Sequence, residues 1–340
     1  MTPTAHAATP EGLAEKDLNV LARAMAPSAP ALESGHVTRS KARPSLLADY
    51  QVLFKVRVTA LVVLTAWAGF YLGSMRSGIT TMHWGLLEAL LGIGLVSAGA
   101  AAMNEVIERK IDARMLRTAQ RPLASGRISL FHGLVAGMAA FFIGAFILVA
   151  FTNPVTVGLT LLTAFTYVSI YTPLKRFTAL ATFIGAFPGA MPPLLGWTAA
   201  RGMIELPAVA LFAILFVWQF PHFMAIAWLY REDYARANIR MLPVVEPDGW
   251  STVSEALIYA ILMIPVSLVP FYLHMTGPVY FVSAVLLGLG YLAYTIRFSG
   301  ILRSRTAAES RKYARGLLKA SVIYLPLLLT IMMLDATGRR

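Results

Sequence analysis

The sequence predicts an all-α, polytopic membrane protein built as a bundle of nine transmembrane helices. Three observations carry that prediction. Of 340 residues, 57% are hydrophobic and only 14% are charged, whereas charged residues make up about 25% of a soluble domain. Nine apolar runs follow one another along the chain, each near the roughly 20 residues that a helix needs to cross about 30 Å of hydrocarbon. Basic residues gather in alternate loops, the asymmetry that orients membrane proteins. Helices satisfy their own backbone groups in lipid, so a bundle is the natural architecture for such runs.

Residues 1–45 are rich in Ala, Pro, Ser and Thr without sustained apolar periodicity, and read as a disordered cytoplasmic tail. They lack the hydrophobic core of a cleaved secretory signal. Glu11, Glu15, Asp17 and Glu33 are out of character for a transit peptide. Residues 46–340 form the membrane domain. Its apolar runs are Val58–Met75, Trp84–Met103, Ser129–Phe151, Val155–Tyr171, Phe177–Thr198, Leu206–Tyr230, Ala256–Met275, Val279–Ile296 and Gly316–Leu334. The fourth is the shortest, bounded by Asn153-Pro154 and Pro173. Pro188, Pro192 and Pro193 inside the fifth predict a kink or local unwinding there.

Twenty-five of the 29 Lys and Arg fall before run one or in the loops after runs two, four, six and eight, counting Lys319 at the edge of run nine. The other side holds only Arg76, Arg201, Arg339 and Arg340. The N-terminus and the chemically richest loops are therefore expected in the cytoplasm, with the C-terminus outside. This placement accounts for the net charge of +12 without any nucleic-acid partner. Cysteine is absent, which excludes disulfides, thiolate metal ligands and a cysteine nucleophile.

Asn104, Glu108 and Asp112 recur every four residues at the end of the second run. On a helix they fall along one side. Hard divalent cations such as Mg²⁺ favour these oxygen donors and bridge them to substrate phosphates. The two acids would also serve as surface partners for Arg109, Lys110 or Arg114, but an amide in register adds a metal or water ligand and no ion pair. Glu105 is one residue off this face and reads as a partner for a neighbouring cation. Arg117 and Arg121 follow, with Arg127 slightly beyond. Guanidinium forks suit phosphate, although topology alone explains basic residues here. Carboxylates for metal beside guanidiniums for phosphate point to a diphosphate handled at the bilayer surface.

Two further segments stand out. Tyr171 and Lys175 close the fourth run, either lining a pocket and reaching a phosphate or anchoring the helix end at the headgroups. Trp218, His222 and Phe223 lie inside the sixth run, with Arg231 and Asp233 at its end. His222 is an intramembrane ionisable group, a functional candidate or a neutral side chain satisfied by a neighbouring helix. His222 and Asp233 are eleven residues apart, about three helical turns, so they share a face unless Pro221 breaks the register. Phe165, Tyr167, Trp218, Phe220 and Phe223 would shield an allylic cation, or simply pack.

Taken together, these segments resemble the UbiA-type intramembrane prenyltransferases. Asn104, Glu108 and Asp112, continuing into Arg117, Arg121 and Pro122, carry the superfamily motif. Tyr171 to Arg176, Ala186 to Trp197, Trp218 to Phe223, Arg231 to Tyr234 and Met241 to Val244 resemble the branch that farnesylates heme. The resemblance covers the chain from about residue 45 onward.

It implies a UbiA-type bundle around a central cavity open toward the bilayer, in a cell inner membrane. It implies Mg²⁺-dependent transfer of farnesyl from farnesyl diphosphate to a vinyl group of heme b. Addition of water then gives heme O and diphosphate, in heme O and heme A biosynthesis for terminal oxidases. Asn104, Glu108 and Asp112 take the metal–diphosphate role, and Arg117, Arg121, Lys175 and Arg231 become diphosphate ligands. Tyr171, Trp218 and Phe223 line the pocket. His222 and Asp233 are candidates for positioning the porphyrin or handling a proton. Heme A synthase or terminal-oxidase assembly proteins are the implied protein partners. Tyr230 and Tyr234 flank Glu232 and Asp233 where the superfamily has paired aspartates, so a complete second metal site is not expected. The competing readings are a prenyltransferase for an aromatic quinone precursor, a secondary transporter and a non-catalytic oxidase assembly factor.

Overall fold

A computed structural model of the chain describes residues 44–77 and 84–337. Among the described residues there are no strands, only a single antiparallel bridge between Thr276 and Ala336. The helices are α1 (Leu46–Leu53), α2 (Val56–Ser77), α3 (Trp84–Asp112), α4 (Leu130–Phe151), α5 (Pro154–Leu174) and α6 (Ala181–Arg201). They continue as α7 (Leu206–Leu229), α8 (Arg231–Arg236), α9 (Leu242–Val245), α10 (Trp250–Tyr272), α11 (Pro278–Phe298) and α12 (Ala307–Leu334). The expected tail falls almost wholly outside the described residues.

Eight of the described helices are long and apolar enough to cross a membrane: α2 to α5, α7 and α10 to α12. This is a membrane protein. Helix α6 is of comparable length, at 21 residues, but is not among the eight, since its prolines and glycines dilute its hydropathy. The unwinding expected at its prolines does not occur, and α6 runs unbroken through Pro188, Pro192 and Pro193. Neighbouring helices make such prolines tolerable in a bundle.

The departure from regular geometry lies instead in α5, where Thr166–Tyr171 forms π-type turns. Such bulges re-aim side chains and recur at functional sites. These turns carry Tyr167 and Tyr171, which stack with ring centroids 5.7 Å apart.

Helices α2 and α6 approach backbone to backbone. A methyl group on Gly69 would come within 1.8 Å of the Pro193 carbonyl oxygen, and one on Gly196 within 1.8 Å of the Ala66 carbonyl oxygen. Lipid supplies little drive for helix association, so close contact through small residues does that work. A core of Trp197, Leu211, Ile214, Tyr280 and Tyr291 fills the bundle of α6, α7 and α10 to α12. A smaller one of Ile93, Val96, Leu148 and Leu195 joins α3, α4 and α6. Between these cores α2, α3, α5, α6 and α7 leave a cavity.

Candidate active site

The cavity has a volume of about 380 Å³. Its inner wall is apolar, with Val58, Val62, Ile93, Val96 and Leu195 among the lining residues. Its basic end carries Asn104, Glu108, Asp112, Arg117, Arg121 and Lys175, joined by Lys55. The expected ladder lies on the last turns of the 29-residue helix α3. Asn104, Glu108 and Asp112 are all buried, each at most 5% exposed. Buried carboxylates must be paired, and these are. Glu108 forms an ion pair with Lys175, and Asp112 pairs with Arg121 at 2.8 Å. Asn104 donates to Glu108 and to Thr172 Oγ1, both at 3.0 Å. Burial disfavours the Lys175 ammonium, but Tyr171 and Glu108 more than offset it and hold its pKa above the ordinary value.

One oxygen of the two ladder carboxylates has neither a hydrogen bond nor an ion pair. Asp112 Oδ1 is buried with no hydrogen-bond partner, a costly arrangement unless something else binds there. Among the described residues no three His, Cys, Asp or Glu side chains gather into a metal site. Two carboxylates and an amide are the oxygen donors that this end of the cavity offers a cation. That set fits Mg²⁺, which usually takes one or two carboxylates and completes its shell from phosphates and water.

Lys55 lines the cavity as well, and sequence reasoning did not single it out. It sits at the break between α1 and α2 with φ at 44°, a left-handed conformation that side-chain-bearing residues rarely adopt. Its ammonium donates to Asn104 Oδ1 at 2.6 Å and to Tyr167 OH at 3.2 Å. A lone lysine before an apolar run looks like an interfacial anchor, and nothing local distinguishes it. Gln219, also in the lining, bonds Ala186 O at 3.1 Å. An amide inside an apolar run is a readable signal.

The UbiA prenyltransferase family matches the chain over residues 61–320. This protein belongs to the UbiA prenyltransferase family. A protein of Koribacter versatilis (strain Ellin345) named protoheme IX farnesyltransferase is 55% identical over 293 residues, covering 86% of this chain and 94% of that one. Two solved structures share the fold at low identity. Digeranylgeranylglyceryl phosphate synthase aligns with TM-score 0.67 and 17% identity, over 85% of this chain and 98% of its own. A UbiA homologue from Archaeoglobus fulgidus bound to DMAPP and Mg²⁺ aligns with TM-score 0.58 and 16% identity, over 84% and 98%.

Within this UbiA-family cavity Tyr171 and Phe223 line the wall, and Lys175 lies 5.3 Å from the Tyr171 ring centre. Trp218, expected in the pocket, is not among its lining residues, and neither are His222, Arg231 and Asp233. His222 Nδ1 is 2.8 Å from Ser321 Oγ on α12, and its ring stacks on Trp218. Trp218 Nε1 donates to the Ser321 carbonyl at 2.9 Å. Both side chains thus join α7 to α12.

Helix α7 ends at Leu229, so His222 and Asp233 do not share one helix. Arg231 folds back on its own turn, donating to the Trp228 carbonyl at 3.0 Å and lying over that indole at 4.4 Å. Asp233 accepts the backbone N–H groups of Leu116 and Arg117 at 3.2 and 3.3 Å and pairs with Arg236. Burial works against its carboxylate, but Arg236 and those N–H groups outweigh it and hold the pKa below the ordinary value. Asp233 therefore fixes the loop that presents Arg117. Arg127 is likewise structural, clamped to Asp49 at 2.8 Å. Glu105 accepts the Leu123 N–H at 3.3 Å, a backbone partner rather than the expected cation.

Proposed function

We propose that this protein transfers the farnesyl group of farnesyl diphosphate to a vinyl group of heme b, with addition of water, giving heme O and diphosphate. The observation that carries this reading is one cavity with a polar end of two carboxylates and four cations, and a hydrocarbon wall. The relative named protoheme IX farnesyltransferase supports the choice of acceptor.

The diphosphate is held at the polar end. Lys55, Arg117, Arg121 and Lys175 neutralise charge that grows on it as the allylic C–O bond loosens, so they favour the transition state over the ground state. Asn104, Glu108 and Asp112 would hold Mg²⁺, which when bound supplies Lewis-acid neutralisation of the same oxygens. The apolar wall holds the isoprenoid chain and delays quenching of the electrophile by water. The Tyr167 and Tyr171 rings present π-faces to developing positive charge. The terminal vinyl carbon bonds to C1 of the farnesyl group as the C–O bond to diphosphate breaks, and water adds to the cation left on the inner vinyl carbon with loss of a proton.

In this reading the basic end faces the cytoplasm of a cell inner membrane, α6 completes a nine-span bundle, and the C-terminus lies outside. Its protein partners are heme A synthase or terminal-oxidase assembly proteins. The test is incubation of the purified protein with heme b and farnesyl diphosphate, with and without Mg²⁺. A Mg²⁺-dependent hydroxyethylfarnesyl heme is the expected product. No heme product, alongside prenylation of an aromatic acid, would assign the protein to quinone-precursor chemistry instead.

A further inference from the structure

A second groove, of about 800 Å³, opens between α11 and α12 and shares no lining residue with the active-site cavity. Its walls are apolar, with the exposed Leu286 and Ile323 and the half-buried Leu287 beside the buried rings of Tyr291 and Tyr324. The space beside Gly290 is open, since a methyl group there would meet nothing within 4 Å. Four cations line the same groove: Arg297, Lys312, Arg315 and Lys319. The last three are spaced by three and four along α12, so they share a face. They span about 10 Å of helix axis.

All four are exposed, and none forms an ion pair among the described residues. The one acid in the lining, Glu309, is engaged at the start of α12, where its carboxylate accepts the Arg305 N–H at 3.2 Å. Topology explains basic residues at a membrane boundary. It does not explain an open apolar trough running beneath them.

We propose that this groove binds an anionic phospholipid, acyl chain along Leu286, Leu287 and Ile323 and phosphate among the four cations. Basic pockets between membrane helices recognise such headgroups, each cation near the surface adding to the attraction. The site is independent of the prenyl-transfer reading, because no residue of the active-site cavity takes part.

Native mass spectrometry of the full-length protein in detergent, with phosphatidylglycerol and phosphatidylcholine of matched acyl chains, tests it. Wild type should retain phosphatidylglycerol preferentially. The combined Arg297→Gln, Lys312→Gln, Arg315→Gln, Lys319→Gln variant should lose that preference by on the order of tenfold or more. A control variant, Arg109→Gln, Lys110→Gln, Arg114→Gln, should keep it. Gly290→Leu, which fills the trough and leaves every charge in place, should weaken retention as well, and remains informative if the charge variant fails to fold. Equal retention of the two lipids by wild type, or equal loss in the control, would overturn the proposal. Full retention in Gly290→Leu would also overturn it, showing that the acyl chain contributes nothing.

Discussion

Lys55 Nζ donates to Asn104 Oδ1 at 2.6 Å, placing a cation on the first rung of the acidic ladder from the break between α1 and α2. The lysine makes this contact from a left-handed backbone, with φ at 44°. For a side-chain-bearing residue that conformation costs about 1–2 kcal/mol. Lys55→Met should raise KM for farnesyl diphosphate by on the order of tenfold, the weight of one charge-assisted hydrogen bond. Lys55→Gly should be similarly impaired yet about 1 kcal/mol more stable than Lys55→Met. Steady-state kinetics and thermal unfolding in detergent check the pair, and an unchanged KM would reduce Lys55 to a structural hinge.

The contact between α2 and α6 makes a second prediction. Gly69→Ala would drive a methyl group to 1.8 Å from the Pro193 carbonyl oxygen. Backbone cannot yield as a side-chain tip would, so the helices must separate. The expected loss is at least about 1–3 kcal/mol, with activity falling because α2 and α6 also wall the cavity. A thermal unfolding midpoint equal to wild type would show that the two backbones are not in contact.

Asp233 contributes to stability in a pH-dependent way. Its folded pKa lies below the ordinary value of 3.8, so its contribution is complete above that value. The contribution is lost as pH falls through the lower folded value. Asp233→Asn should therefore be less stable than wild type at neutral pH, and the gap should close below about pH 4. Unfolding midpoints measured from pH 7 to pH 3 read this directly. Activity of Asp233→Asn should fall through Arg117, whose backbone N–H it holds at 3.3 Å.

His222→Ala should leave KM for farnesyl diphosphate unchanged, because the imidazole bonds Ser321 rather than facing the cavity. Stability should drop by about 1 kcal/mol, the usual worth of such a bond. A rise in KM would place His222 at the substrate.

The apolar runs and the ladder at Asn104, Glu108 and Asp112 were legible because both are periodic patterns within single helices. Lys175 and Tyr171 were legible as candidates beside them. Lys55 was not, since its role depends on a left-handed backbone and on a partner 49 residues away. His222 announced itself as an ionisable group among apolar residues, but its direction is set by Ser321, 99 residues on. Arg127 matched the phosphate pattern of Arg117 and Arg121, yet Asp49 claims it from α1, a helix the hydropathy pattern does not reveal. The prolines of α6 suggested unwinding because the pattern cannot show that neighbouring helices support them.

In the proposed reaction Glu108 and Asp112, with the cations around them, act on the departing diphosphate. The rate of diphosphate release from farnesyl diphosphate with heme b and Mg²⁺, compared between wild type and Asp112→Asn, reads this role. The expected result is a fall of on the order of 10²–10³-fold in kcat, with the variant folded as judged by its unfolding midpoint. Release at the wild-type rate from a folded Asp112→Asn protein would contradict it.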